Sequence, residues 1–253
     1  MIAAIQKISA AGGVTISAPP SKSAAHRLLI LAALAEGESE ILCRGSSADI
    51  DATIGCLNAM GAKIAKEGDR ISVRPVIPGS ATAQLDVGES GSTLRFMLPV
   101  LGALGISARV KMHGRLPERP LEPLWSELIA HGMSLSRSAE DELTVSGKLL
   151  PGKYSIDGGV SSQFITGLLF ALPCLPGESR LDITGRRESV PYIEMTLAAQ
   201  RKFGCALIDD GAGFTVPSCP IMPGALRLRA TTRARPLCWL PGRWPKMASW
   251  SPV

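Results

Sequence analysis

Two hydrophobic patterns alternate along the chain. One is amphipathic. Ile50, Ile54 and Leu57, then Leu121, Leu124 and Leu128, mark helical stripes with one apolar face. The other is apolar almost throughout and opens on small polar residues. It occurs three times, as Ser21-Lys-Ser-Ala-Ala-His-Arg-Leu-Leu-Ile, Ser90-Gly-Ser-Thr-Leu-Arg-Phe-Met-Leu and Val160-Ser-Ser-Gln-Phe-Ile-Thr-Gly-Leu-Leu. Within these starts Ser23, Ser92 and Ser162 are 69 and 70 residues apart. Gly61, Gly132 and Gly204 each follow an amphipathic stretch and precede two short strands, at spacings of 71 and 72. Two landmarks sharing one period of about 70 predict a threefold internal repeat.

Each unit begins with an extended segment (Gly13–Ala18, Gln84–Val87, Tyr154–Asp157), followed by the hydrophobic helix. A short strand comes next: Glu40–Cys43, Ala108–Met112 or Arg180–Thr184. The amphipathic helix then ends at its glycine, a residue suited to the left-handed position after a helix. Two strands close the unit: Lys63–Ala65 with Arg70–Val73, Ser134–Ser136 with Glu142–Val145, and Ala206–Ile208 with Gly213–Val216. The prediction is an α/β (α+β) fold of three β-α-β-α-β-β units, about 14–80, 81–150 and 151–220. They form one lobe over 14–225, with 1–13 and 226–253 outside it.

Composition narrows the class. Apolar residues are 45% and charged residues 19% of 253, an ordinary globular balance. Aromatics at 4% give little support for single-stranded nucleic-acid binding. The longest apolar run, Leu28 to Ala35, is too short to span a bilayer, and no signal peptide is expected. The net charge of +5 is uneven: six of 27 basic residues lie after Gly211, where there is no acidic residue. The remaining 21 face all 22 acidic residues, so the body is near neutral and no nucleic-acid partner is expected. The six cysteines form no C-x-x-C pair, which predicts reduced thiols, no metal and a cytoplasmic location.

Candidate chemistry sits at the helix starts, where free N–H groups and the positive dipole end attract anions. Lys22 and Ser23 lie at the first start, and Arg27 is one turn beyond Ser23. Gly91 lets a ligand approach the second, and Ser161, Ser162 and Gln163 offer neutral donors at the third. The plain alternative is that these hydroxyls only cap three helices. Arg115 and Arg119 flank Pro117 on a stiff loop, either as anion contacts or as solvated surface arginines. Ser189 and Tyr192 open the last amphipathic helix. Asp49 and Asp51 read as helix N-terminal charge.

Five ordered motifs carry a family resemblance. They are Pro20-Ser-Lys-Ser-Ala-Ala-His-Arg27, Gly88-Glu-Ser-Gly-Ser-Thr-Leu-Arg95, Arg115-Leu-Pro-Glu-Arg-Pro120, Val160-Ser-Ser-Gln-Phe164 and Ser189-Val-Pro-Tyr-Ile193. Over about residues 1–228 the chain resembles the 5-enolpyruvylshikimate-3-phosphate synthases, the 3-phosphoshikimate 1-carboxyvinyltransferases. The resemblance implies transfer of enolpyruvyl from phosphoenolpyruvate to the 5-hydroxyl of shikimate 3-phosphate, with release of phosphate and no cofactor. By position, Lys22 would touch both substrates. Ser23, Arg27, Ser161, Ser162, Gln163, Ser189 and Tyr192 would hold shikimate 3-phosphate. Gly91, Arg119 and Gln163 would line the phosphoenolpyruvate site. The family has two lobes of three units. Residues 1–13 would thus be a strand of the other lobe, and the proton-transfer groups would lie in that lobe too. A monomer is expected. Glu89 departs from the family pattern and brings a negative charge near the pocket. A related transferase acting on UDP-N-acetylglucosamine usually carries a reactive Cys on a loop here, and Arg115–Pro120 contains none. An RNA-binding module using the basic tail is the alternative from another class, and predicts a steep salt dependence. From Leu226 on there are three of the four tryptophans and no helical or strand period, which suggests a frame-shifted or truncated end.

Overall fold

The computed structural model describes residues 20–77, 79 and 82–228. The extended segment Gly13–Ala18 and the tryptophan-containing tail lie outside the described residues. The first unit runs α1 (Lys22–Leu34), β1 (Ser39–Leu42), α2 (Ala48–Ala59), β2 (Lys63–Glu67) and β3 (Arg70–Arg74). The second is β4 (Ala83–Asp86), α3 (Gly91–Leu104), β5 (Ala108–Lys111), α4 (Leu124–Ala130), β6 (Met133–Ala139) and β7 (Glu142–Gly147). The third is β8 (Lys153–Asp157), α5 (Ser162–Ala171), β9 (Ser179–Thr184), α6 (Val190–Lys202), β10 (Ile208–Asp209) and β11 (Gly213–Val216). A last strand, β12, covers Ala225–Arg227.

The strands form three four-stranded sheets of the same plan. The orders are β12-β1-β3-β2, β4-β5-β7-β6 and β8-β9-β11-β10. The outer pair is parallel, with Leu226 opposite Ile41, Leu85 opposite Val110 and Ile156 opposite Ile183. The remaining pairs are antiparallel, as hairpins and their neighbours require. The sequence reading ends the third unit at 220. The structure returns 225–227 to the first sheet, where β12 holds the edge that β4 and β8 hold in theirs.

The helices α1, α3 and α5 have few polar positions and are buried over most of their length. Gly167 allows α5 onto α3: a Cβ there would sit 2.4 Å from the Arg95 carbonyl oxygen. In α2 and α4 the predicted stripes face inward, with Ile50, Leu57, Leu124 and Leu128 buried. Gly61, Gly132 and Gly204 end α2, α4 and α6 with φ of 108°, 102° and 79°. After each, the chain enters the hairpin, so the three are structurally equivalent.

One expectation is corrected. Cys205 and Cys219 form a disulfide rather than reduced thiols. Fourteen residues separate them, but the segment after β11 folds back on the end of α6, where Met222 N–H donates to the Phe203 carbonyl at 2.8 Å. Cys43, Cys56 and Cys174 are free. The cysteine pattern therefore carries no argument for a reducing compartment.

Candidate functional site

The N-termini of five helices meet at one end of the lobe. Lys22 of α1 pairs with Asp49 in the first turn of α2, and His26 bonds Thr53 one turn deeper. Thr53 lies 2.8 Å from Thr93 of α3, oxygen to oxygen. Ser92 of α3 accepts from Gln163 Nε2 of α5 at 2.9 Å. Thr166 of α5 lies 3.0 Å from Thr196 of α6. Parallel dipoles gathered this way give one positive region facing solvent.

Ser21, Ser90 and Ser161 cap α1, α3 and α5, accepting from Ala24, Thr93 and Gln163 N–H. The repeat is therefore registered on these caps, which pairs Ser23 with Ser92 and with Gln163 rather than with Ser162. The same register aligns His26, Arg95 and Thr166, each five residues past its cap and each buried. One repeat position thus carries three different polar side chains.

Arg95 and Arg119 form the cationic part. Arg95 Nη1 donates to Gln163 Oε1 at 3.2 Å and to the Gly91 carbonyl at 3.3 Å, and Nη2 donates to the Pro120 carbonyl at 3.2 Å. Its Nε has no partner. Burial, and then the Arg119 charge, holds the Arg95 pKa below the ordinary arginine value. A Cβ on Gly91 would stand 2.6 Å from Arg95 Nη1 and 3.3 Å from Arg119 Nη1, so any larger residue there would displace the ends of both side chains. Among the described residues, neither forms a salt bridge to a carboxylate. Two adjacent uncompensated guanidiniums beside helix N-termini are arranged to take an anion.

Other predicted residues are placed differently. Arg27 is 3% exposed and turned inward. It donates to Thr196 Oγ1 (2.8 Å), the Ser23 carbonyl (2.8 Å), Thr166 Oγ1 (3.3 Å) and the Tyr192 carbonyl (2.8 Å). Four of its five N–H groups are thus engaged, and it ties α1 to α5 and α6. Burial pushes its pKa down to about 10, which leaves it cationic at neutral pH. Lys22 is exposed and held by Asp49. Asp49 and Asp51 occupy the first turn of α2, as expected. Ser162 begins α5 and is partly exposed. Ser189 precedes α6 at φ 54°, ψ 34°, the one positive-φ non-glycine among the described residues. Such strain persists where surrounding structure enforces it, often at ligand sites. Arg115 is solvated and pairs with Glu118, so it stands apart from the cluster. Glu89 lies over Gly114, where a Cβ would meet its Oε1 at 2.3 Å. Its charge is directed at that loop.

The sequence motifs give Arg95 no role of its own and do not mark Ser92 as a contact. The signal was present: Arg95 is a lone charge in the apolar run that follows Thr93, with no carboxylate within a turn. Two shallow depressions open elsewhere, at the end of α2 beside Ile77 and along β2 and β3. Neither is lined by a residue of the helix-start cluster.

Three four-stranded mixed sheets of one strand plan, with the N-termini of five helices gathered at one end, define a lobe of the enolpyruvyl-transferase fold class. The family model described as EPSP synthase (3-phosphoshikimate 1-carboxyvinyltransferase) matches residues 5–224, and the chain belongs to that family. A 3-phosphoshikimate 1-carboxyvinyltransferase of Clostridium beijerinckii is 39% identical over 204 residues, covering 77% of this chain and 47% of that protein. Its counterpart in Clostridium kluyveri is 38% identical over 205 residues, covering 79% and 47%. The chain spans about half the length of the curated relatives it matches. A solved EPSP synthase of Acinetobacter baumannii superposes with a TM-score of 0.71 at 19% identity, covering 85% of this chain and 49% of that one. That likeness carries the fold.

Proposed function

We propose that this chain supplies one side of the active site of a 3-phosphoshikimate 1-carboxyvinyltransferase. The enolpyruvyl group of phosphoenolpyruvate passes to the 5-hydroxyl of shikimate 3-phosphate, and phosphate leaves. The observation that carries this reading is the uncompensated Arg95–Arg119 pair at the gathered helix N-termini, in a chain of this family. Two phosphates and a carboxylate require cations and N–H donors, and the cluster offers both. Arg119, Gly91 and Gln163 take phosphoenolpyruvate, with Arg95 behind them. Lys22 reaches both substrates. Ser23, Ser161, Ser162, Gln163, Ser189 and Tyr192 take shikimate 3-phosphate. Arg27 contributes at most one N–H and otherwise holds α6, and so Ser189 and Tyr192, in place.

The test is calorimetry of the purified 253-residue protein with shikimate 3-phosphate, paired with a phosphate-release assay with both substrates. Weak binding without turnover is expected, because the chain matches only about half the length of the curated relatives. Absence of binding by a folded chain, or turnover equal to a full-length relative, overturns the reading.

A further inference from the structure

We propose that His26 is a positioning residue: through Thr53 it fixes the register of α1 against α2 and so holds the Lys22 ammonium on Asp49 at the mouth of the site. Lys22 and His26 are one turn apart on α1, and Asp49 and Thr53 are one turn apart on α2. The two helices therefore run side by side in the same direction, joined by two rungs. The outer rung is the Lys22–Asp49 pair, with side chains 51% and 27% exposed. The inner rung is His26 Nδ1 to Thr53 Oγ1 at 2.7 Å, in a buried setting.

The inner rung has a defined polarity. Thr53 has one hydroxyl proton and two acceptors awaiting it, the Asp49 carbonyl at 3.1 Å and Thr93 Oγ1 at 2.8 Å. Because the Thr93 proton goes to Ser90 Oγ, the Thr53 proton serves Thr93 or the Asp49 carbonyl, so we assign His26 Nδ1 as the donor to Thr53 and Nε2 as a bare lone pair. Nε2 is buried without a partner, and the ring stands edge-on to Phe96. Thr93 in turn donates to Ser90, the cap of α3, at 2.7 Å. A single neutral imidazole thus anchors the starts of three helices, and only its Nδ1–H is used. An exposed ion pair is worth little by itself and does not hold two helices in register. The buried rung does.

The inference rests on the proposed function only in reading Lys22 as a substrate contact. The experiment separates the two. Asparagine presents an amide N–H where Nδ1 lies, whereas glutamine presents one where Nε2 lies and lacks the Nδ1 donor. His26→Asn, His26→Gln and His26→Leu are compared with wild type after melting curves establish that each folds. Labelling of Lys22 by an amine-reactive reagent is followed by mass spectrometry, without ligand. Wild type and His26→Asn should label slowly, and His26→Gln and His26→Leu several-fold faster. Shikimate 3-phosphate affinity should fall roughly tenfold in His26→Gln, not in His26→Asn, and not further when His26→Gln is added to Lys22→Ala. Equal Lys22 labelling in wild type and His26→Gln overturns the proposal, as does an additive loss in the double variant. If wild type binds no shikimate 3-phosphate, the functional reading fails while the labelling still decides the role of His26.

Discussion

His26 is a base kept neutral by its surroundings. Burial, opposed by Asp49 and reinforced by Lys22 and Arg27, lowers its pKa from 6.5 to about 4. The unfolded chain takes up the proton near 6.5 and the folded chain only near 4. Stability contributed by the neutral form is therefore complete above pH 6.5 and declines as pH falls toward 4, by roughly 3 kcal/mol at most. Urea unfolding between pH 4 and 7 should show that slope in wild type and lose most of it in His26→Asn. At Arg27 the expected effect is on folding. Arg27→Ala strips partners from Thr196, Thr166 and the Tyr192 carbonyl, at a cost of roughly 3 kcal/mol or more by denaturant titration. An affinity loss in that variant without a stability loss would contradict the inward geometry. The helix start bearing Arg27 was legible from its motif, but the side chain's direction was not. Direction depends on Thr166 and Thr196, which are 139 and 169 residues away and become neighbours only on folding.

At the scale of elements, the alternation of hydrophobic helix, strand, amphipathic helix and hairpin was legible because each segment advertises its own period. Turn residues marked the breaks. Gly61, Gly132 and Gly204 were placed by their spacing and by the amphipathic stretch before each, and their conformation explains the choice. At Gly132 a Cβ would combine a left-handed φ with a 2.6 Å approach to the Lys148 carbonyl oxygen. Gly132→Ala should cost more than about 2 kcal/mol, whereas Gly68→Ala, left-handed but open, should cost about 1. Comparison of the two melting midpoints checks this. Elements fixed by distant pairing were not legible. The three residues of β12 carry no readable period, and the Cys205–Cys219 bond depends on a chain reversal that neither flank announces.

For the whole molecule, the return of 225–227 to the first sheet decides where the lobe is complete. A chain ending at Pro220 lacks β12, the strand that among the described residues covers β1 at Glu40–Leu42. It should elute as higher oligomers on size-exclusion chromatography, under conditions where the 253-residue chain does not. Elution equal to the longer chain would show β12 to be dispensable. The same pairing has a consequence in time. The second and third sheets draw their strands from 83–147 and 153–216, so each closes from contiguous chain. The first sheet takes β1 to β3 from 39–74 and then waits for β12, whose neighbour Gly224 bonds Ser39 across 185 residues. On the ribosome, the unit synthesised first is therefore the last to be finished. Until β12 emerges, the edge of β1 that it covers goes without that partner for the entire synthesis of the two sister units.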